Sequence, residues 1–384
     1  MAIYLDNAAT SWPKPESVYQ AIDNFLRNNG ASPGRGGHER AREAGALVYT
    51  AREKLAVLFG INDPSRISFA CNATDALNTA LLGTLKPGDT VVTTAMEHNA
   101  VVRPLRYLAQ NGILIKVAGC DLAGRVNMAD MKQLIDSGAK AVVMTHASNV
   151  TGALMPVAQT GQLTRRSGAL LIVDAAQTAG TEDIDVESMC IDILAFSGHK
   201  NLFGPQGTGG LYVRSGIEIK PLRYGGTGSL SESDVQPDFM PDMLESGTIN
   251  TPGIAGLSAG VAYILETGLQ VIRQKEMHLS NLLRQGLADM AGITLLGPGD
   301  PTERTAVVSF TGYGLDSSML SYQLDQNYGI ITRGGLHCAP WAHRTIKTVA
   351  TGALRLSPGY FNTEQDIKQA LGAIETIVFK EVSR

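Results

Sequence analysis

Short apolar runs alternate with helical patterns between about residues 16 and 256. Four of these runs have the length and composition of buried strands, namely 67–70, 90–94, 141–144 and 170–173. Helical stretches such as 75–82 separate them, and a longer helical pattern runs from 257 to about 290. This alternation predicts a largely parallel sheet with helices on both faces. Ligands of such sheets bind beyond the carboxyl ends of the strands, so polar residues at those ends are the candidate site residues.

Two motifs combine a carboxylate at a strand end with a lysine on a later loop. Asp174 follows the apolar run 170–173 in the segment VDAAQ, and Lys200 lies 26 positions further on (200 − 174) in the segment SGHK. Pyridoxal phosphate needs both groups, because the carboxylate keeps the pyridine nitrogen protonated and the lysine amine forms a Schiff base. Either residue alone is more typical of a turn or a solvated loop. Together, in this order and context, they favour the cofactor.

These motifs resemble those of the class V aminotransferases and, within that group, of the cysteine desulfurases and selenocysteine lyases. Matching segments follow in order from LDNAAT at 5–10 to Arg355 and YFNT at 360–363, so the resemblance covers nearly the whole chain. It implies fold type I of the pyridoxal-phosphate-dependent transferases, an α/β fold with a large, mostly parallel sheet domain and a smaller α+β C-terminal domain. We assign residues 16–256 to the large domain, and residues 1–15 and 257–384 to the small one.

The composition limits the classes of protein and partner. A chain of 384 residues with 44% hydrophobic and 18% charged residues is typical of a globular protein with more than one domain. The net charge of −4 argues against nucleic acid or an anionic membrane as a partner. The chain lacks a signal-peptide pattern and an apolar run long enough to span a bilayer, so we expect a soluble cytoplasmic protein. The four cysteines form no CxxC pair, and we predict no metal site.

Small and polar residues at 72–74 follow a predicted strand and open a predicted helix. Free amide groups at a helix N-terminus bind anions such as a cofactor phosphate, although Thr74 is equally typical of an ordinary helix cap. The resemblance implies that Ala73 and Thr74 hold the phosphate, together with the side chains of Ser197 and His199.

Three more polar side chains at strand ends belong to the implied cofactor site. His98 follows the run 90–94, where an isolated histidine is more often a core residue with satisfied nitrogens. Asn149 lies in SNVTG, which by itself is only a turn signal. The resemblance implies that His98 stacks on the pyridine ring and helps to move protons. It also implies that Asn149 and Gln177 approach the phenolic oxygen of the cofactor, with Asn149 beside the substrate as well.

The glycine-rich run GPQGTGG at 204–210 superficially suggests a dinucleotide-binding loop. It does not follow a strand of a βαβ unit with an acidic residue further on, so we reject that function. We expect its glycines to permit tight loop packing beneath Lys200.

Two residues extend the implied site toward the substrate and a second subunit. Arg355 lies in an apolar strand pattern, where an unpaired guanidinium is costly, and its planar group suits a carboxylate. The resemblance implies that Arg355 binds the α-carboxylate of the substrate. Thr248, in ESGTIN at 245–250, is by its local residues equally typical of a capped turn. The resemblance implies that Thr248 reaches the phosphate of the other subunit's cofactor, and therefore a homodimer.

Cys338 distinguishes the possible reactions. It lies in the loop RGGLHCAP at 333–340, 17 positions (355 − 338) before Arg355. A cysteine beside a histidine is by itself more often incidental than catalytic. A desulfurase, however, needs a thiolate to receive the substrate sulfur, whereas a transaminase does not. We expect His337 and Arg333 to favour that thiolate.

The resemblance implies a cysteine desulfurase that converts L-cysteine to L-alanine, leaves a persulfide on Cys338 and passes the sulfur to an acceptor protein, as in iron–sulfur cluster assembly. Leu336 stands where the family usually has a second histidine, and residues 341–345 also depart from the family pattern. A selenocysteine lyase acting on L-selenocysteine, or another class V lyase or aminotransferase, is the alternative. A non-enzymatic scaffold is disfavoured, because the complete set of catalytic residue types, including Lys200 and Asp174, is present.

Overall fold

The computed structural model describes residues 2–34, 36–312 and 316–382. Its helices in these ranges are α1 (Glu16–Asn28), α2 (Glu39–Phe59), α3 (Ala73–Thr84), α4 (Asn99–Gln110), α5 (Met128–Asp136), α6 (Val157–Ser167), α7 (Thr251–Thr267), α8 (Leu269–Ala288), α9 (Ser317–Tyr328), α10 (Pro340–Thr345) and α11 (Glu364–Val382). Its strands are β1 (Ile3–Tyr4), β2 (Ile67–Ala70), β3 (Thr90–Thr94), β4 (Leu114–Ala118), β5 (Ala141–Thr145), β6 (Leu170–Asp174), β7 (Ile193–Ser197), β8 (Gly209–Val213), β9 (Ile293–Leu296), β10 (Val308–Gly312), β11 (Ile330–Ile331), β12 (Arg333–Gly335) and β13 (Ala353–Leu356).

A seven-stranded sheet forms the centre of the molecule, with the strand order β2-β8-β7-β6-β5-β3-β4. All neighbouring strands are parallel except that β8 runs antiparallel to β2 and to β7. Every residue of β5 and of β7 is buried, because apolar clusters cover both faces of the sheet. The prediction of a largely parallel sheet is confirmed, and the four predicted strands coincide with β2, β3, β5 and β6 to within one residue.

A second, antiparallel sheet has the order β12-β13-β10-β9 and packs against α8, α9 and α11. The N-terminal segment joins this part of the molecule, since β1 pairs with β11 and Asp6 bridges to Ser357. The division into domains at residue 256 stays a prediction. Residue 256 lies inside α7, whose Leu257 and Val261 pack in the core of the main sheet.

The prediction of one long helix from 257 to about 290 is wrong. Helix α7 ends at Thr267 and α8 begins at Leu269, with an angle of 86° between the two helices. Gly268 has a φ of +91°, a conformation that glycine adopts without steric cost, and its amide closes α7 on the carbonyl of Ile264. The apolar periodicity continues across this break, so the sequence pattern hid it. No single described helix is both long and apolar enough to cross a membrane. Helices α7 and α8 meet these two criteria only when they are taken together, as a bent pair.

Candidate active site

The carboxyl ends of β2, β3, β5, β6 and β7 surround a cavity. Its volume is about 660 Å³, including the solvent-filled space at its entrance. A volume of this order suits a small-molecule ligand. Nine of the residues predicted for the cofactor site line it: Ala73, Thr74, His98, Asn149, Asp174, Gln177, Ser197, His199 and Lys200. Thr248, Cys338 and Arg355 do not line this cavity.

Asp174 and Lys200 form the chemical centre of the cavity. Asp174 is 3% exposed at the end of β6, and its Oδ1 accepts a hydrogen bond of 2.9 Å from the Ala176 amide. No described residue donates to its Oδ2. Burial lowers the pKa of Lys200 to about 8, although the charge of Asp174 opposes this shift. The Lys200 amine makes no hydrogen bond to a described residue, and with this lowered pKa a minor but significant fraction of it is neutral and nucleophilic near neutral pH.

The N-terminus of α3 forms one end of the cavity. The Asn72 side chain caps this helix by accepting from the Asp75 amide at 3.0 Å. The Ala73 amide donates to Ser197 Oγ at 3.1 Å, and the Thr74 amide donates to no described residue. His199 adds a buried Nδ1 that has no partner in the described structure. Asn72 is therefore the cap rather than Thr74, and the exposed Thr74 amide is available to an anion.

His98 caps α4 and contributes a neutral ring to the cavity. Its Nδ1 accepts from the Ala100 amide at 3.0 Å, so the neutral ring carries its proton on Nε2. Burial and the positive charge of Lys200 lower the pKa of His98 to about 4. The ring combines a local capping role with a place in the cavity wall, and its role toward a cofactor stays a prediction.

Asn149 and Gln177 are held by backbone carbonyl groups. Asn149 Nδ2 donates to the His337 carbonyl at 2.7 Å, and Gln177 Nε2 donates to the Ala8 carbonyl at 3.0 Å. Ser148 Oγ accepts from two amides of the turn that carries Asn149, which confirms the predicted turn. Both amide side chains therefore have fixed positions at the cavity wall.

Arg355 is 1% exposed on β13 and is paired within the chain. Its Nη2 donates to Asp6 Oδ1 at 2.7 Å and its Nη1 to the Asn149 carbonyl at 3.1 Å, while its buried Nε has no partner among the described residues. From the sequence, a buried and unpaired Arg355 indicates a bound carboxylate. That reason does not hold, because Asp6 already compensates the charge of Arg355. Its contact with Asn149 still places Arg355 beside the cavity.

Cys338 is exposed on the loop between β12 and α10. Its carbonyl accepts from the Asn99 amide at 2.8 Å. The neighbouring His337 is buried and donates from Nε2 to the Ala353 carbonyl at 3.0 Å. Burial, followed by the charge of Arg355, lowers the pKa of His337 to about 2. The expectation that His337 favours a thiolate by its charge is therefore wrong, because this ring is neutral at physiological pH.

The glycine-rich run packs as expected. A Cβ atom on Gly198, in the segment SGHK, would collide with Thr208 Oγ1 of the run, and one on Gly204 would lie 2.9 Å from the Gly198 carbonyl oxygen. The Gly204 amide donates to that carbonyl at 2.8 Å. This packing confirms that the loop behind Lys200 requires glycine. The end of the run, Gly209 and the residue after it, begins β8 rather than a loop.

The structure places Thr248 apart from the cavity of its own chain. Thr248 is exposed and lines two other depressions, one with Arg52 and Glu245 and one with Phe69 and Cys71. Its predicted contact with a partner subunit's cofactor stays a prediction.

Three residues near the site had no role in the sequence analysis. Glu97 is fully buried and accepts from Thr94 Oγ1 and the Thr145 amide, and Asp6 pairs with Arg355. Lys14 donates to the His199 carbonyl at 3.2 Å. Asp6 lies within the segment LDNAAT, and Glu97 directly precedes His98, so a carboxylate beside a predicted site residue or motif was the available signal.

These residues fit pyridoxal phosphate. Among the described residues, none bonds Asp174 Oδ2, the Lys200 amine or the Thr74 amide, so these groups are available to a pyridinium nitrogen, an aldehyde and a phosphate oxygen. The partnerless Nδ1 of His199 is a further site for a hydrogen bond. A lysine amine that can lose its proton, a carboxylate and a helix N-terminus are the three groups that this cofactor requires.

Comparisons with known proteins agree with this arrangement. Residues 3–370 match the family model described as aminotransferase class-V. A probable cysteine desulfurase of Methanothermobacter thermautotrophicus is 33% identical, over 96% of this chain and 93% of that protein. A cysteine desulfurase of Yersinia pseudotuberculosis is 32% identical, over 98% of this chain and 91% of that protein.

Solved structures give the same result. The apo cysteine desulfurase of Thermococcus onnurineus superposes with a TM-score of 0.92 at 32% identity, covering 99% of this chain and 95% of that one. A cysteine desulfurase of Escherichia coli in an S-sulfonic acid form gives 0.89 at 28% identity, with the same coverage. The predicted fold class is confirmed. The chain belongs to the class V aminotransferases, among relatives that are named cysteine desulfurases.

Proposed function

We propose that this protein is a pyridoxal-phosphate-dependent cysteine desulfurase, which converts L-cysteine to L-alanine and receives the sulfur on Cys338. The observation that carries the proposal is the position of Cys338. It is exposed, yet the backbone of its loop is hydrogen-bonded to Asn149 in the wall of the Lys200 cavity. A solvent-exposed thiol on a loop that is bonded to the cavity wall suits the transfer of sulfur from a bound substrate to an external acceptor.

Lys200, Asp174 and His199 would hold the cofactor together with the N-terminus of α3. Pyridoxal phosphate, when bound, supplies an acceptor for the electrons released at the substrate Cα. Asp174 holds a proton at the ring nitrogen, and Lys200 moves the Cα proton, since burial brings its pKa to about 8. Arg355 orients the substrate through its α-carboxylate.

Cys338 then attacks the sulfur atom of the substrate as a thiolate. A sulfur–sulfur bond forms and the Cβ–S bond of the substrate breaks, with the electron pair passing to the carbon fragment. Protonation of that fragment gives alanine, and the protein retains one sulfur as a persulfide on Cys338. The atoms and electrons balance without an external oxidant, because the persulfide carries the oxidising equivalent until an acceptor takes the sulfur. We propose an acceptor protein for that step, as in iron–sulfur cluster assembly.

The test is the substitution Cys338→Ala. The variant should still bind L-cysteine with a change in the cofactor spectrum, because Lys200, Asp174 and Arg355 remain. It should form little alanine from L-cysteine, since no thiolate remains to accept the sulfur. With L-selenocysteine it should keep substantial turnover, because the carbon–selenium bond is weaker. Alanine formation from L-cysteine at the wild-type rate would instead identify a general lyase or aminotransferase.

A further inference from the structure

The cysteine loop has a backbone conformation that needs external support. His337 has a φ of +50° and Cys338 a φ of +57°, so two consecutive side-chain-bearing residues adopt the left-handed conformation. For residues other than glycine, asparagine and aspartate this conformation is uncommon and costs free energy. Contacts from neighbouring elements must therefore hold the loop in place.

Two of those contacts come from the walls of the cavity. The carbonyl of His337 accepts from Asn149 Nδ2 at 2.7 Å, and the carbonyl of Cys338 accepts from the Asn99 amide at 2.8 Å. Asn149 lines the cavity itself, and Asn99 directly follows His98, which also lines it. Both strained residues are thus hydrogen-bonded, through their carbonyl groups, to residues in or next to the cavity wall.

Asn149 is itself fixed in position. It is 7% exposed, and its own carbonyl accepts from Arg355 Nη1 at 3.1 Å. Ser148 Oγ fixes the turn by accepting from the amides of Val150 and Thr151, both at 3.2 Å. One buried residue therefore contacts the cavity, the arginine and the cysteine loop.

We propose that Asn149 is a positioning residue for Cys338, in addition to its place in the cavity wall. Its side chain holds the cysteine loop beside the cavity, where Cys338 can receive the substrate sulfur. Its carbonyl accepts from Arg355, so the same residue also fixes the position of the arginine. Fixing both groups to one rigid turn reduces the conformational freedom that would be lost on reaching the reactive arrangement. The proposal rests on the proposed function, because it assigns Asn149 a role in placing the sulfur acceptor.

The test substitution is Asn149→Asp. It keeps the size of the side chain but puts an oxygen where Nδ2 donated, so the bond to the His337 carbonyl is lost. Asn149→Ala is the second variant, in case the carboxylate disturbs the cavity. The matched control is Asn111→Asp on the surface, where Asn111 Nδ2 donates to the Tyr107 carbonyl at 2.9 Å.

Hydrogen exchange of single amides gives the first measurement, with and without bound cofactor. The amides of Asn99 and Ala339 are bonded to loop carbonyls, whereas the Val101 amide is bonded to His98. Loss of one hydrogen bond should make Asn99 and Ala339 exchange about three to ten times faster and leave Val101 unchanged. If Asn99 and Ala339 exchanged in Asn149→Asp at the same rates as in the wild-type protein, both with and without cofactor, the proposal would be overturned.

Turnover of two substrates gives the second measurement. In Asn149→Asp, kcat for L-cysteine should fall several-fold more than kcat for L-selenocysteine, because only the first reaction depends on the placement of Cys338. An equal fall for both substrates would show that Asn149 serves the cofactor alone. Failure of the proposed function would look different, since Cys338→Ala would then keep its turnover of L-cysteine.

Discussion

At the scale of single residues, two lysines near the site, Lys200 and Lys14, have similarly lowered pKa values. Burial lowers the pKa of both Lys200 and Lys14 to about 8, so both amines are partly neutral near neutral pH. Lys14 donates to Ser11 and to the His199 carbonyl, whereas Lys200 is unbonded and lies near Asp174. Hydrogen bonding therefore distinguishes the two amines where the pKa values do not.

Borohydride reduction of the purified protein should fix a pyridoxyl group on Lys200, because that amine is free and lines the cavity. Peptide mapping by mass spectrometry would locate the group. Lys14→Gln should retain the label and Lys200→Ala should lose it. A pyridoxyl group on Lys14 in the wild-type protein would contradict the assignment.

At the scale of elements, Glu97 joins two strands of the main sheet. Backbone pairing between β3 and β5 covers only Val91 with Ala141 and Val92 with Val142. Beyond it, the Glu97 carboxylate accepts from Thr145 at 3.0 Å and from the Thr94 hydroxyl at 2.6 Å. The carboxylate thus satisfies an amide that the separated strands leave unpaired, just where the cavity opens.

Burial raises the pKa of Glu97 to about 8 from 4.5, which makes its contribution to stability depend on pH. A raised pKa in the folded state gives stability that is present below pH 4.5 and is lost as the pH rises through 8. The free energy of unfolding, compared with that of Glu97→Gln, should therefore fall by up to about 1.4 kcal/mol per pH unit between these values.

Denaturant unfolding at several pH values measures this difference. The control is Glu53→Gln, which changes an exposed glutamate on α2 and should show no such slope. If the difference in the free energy of unfolding between wild type and Glu97→Gln stayed constant from pH 5 to 8, Glu97 would be ionised throughout this range. The prediction would then be wrong.

At the scale of the whole molecule, the irregular segment 214–250 exposes large apolar side chains. Tyr224 is 71% exposed and Val235 75%, with Leu222, Leu230 and Phe239 also exposed. Exposed apolar groups in one segment are typical of an interaction surface. Together with exposed Thr248 in the same segment, they support the homodimer that the family resemblance implies, which we propose for this protein.

Light scattering should give twice the 40.7 kDa mass of the chain. The double substitution Tyr224→Asp and Val235→Asp should shift the protein toward the monomer, because it places charges in the proposed interface. Tyr322→Asp, on α9 and 62% exposed, is the control. A fully active monomeric wild-type protein would contradict the dimer.

The sequence by itself predicted four strands of the main seven-stranded sheet, β2, β3, β5 and β6, whose carboxyl ends border the cavity. Strands such as β5 and β6 could be predicted because their burial on both faces gives continuous apolar runs. Asp174 and His98 were found because they lie just after such runs, and Lys200 was found in the segment SGHK because it follows Asp174 by 26 positions (200 − 174). These signals are local, and each lies within a few positions of the element that it describes.

Only the tertiary structure decided how distant segments combine. Asp6 pairs with Arg355 across 349 positions, and Asn149 holds the His337 carbonyl across 188. The 86° bend at Gly268 was equally hidden, because apolar periodicity continues through it. Contacts of this kind depend on how helices and sheets pack in space, and local propensity carries no information about that packing.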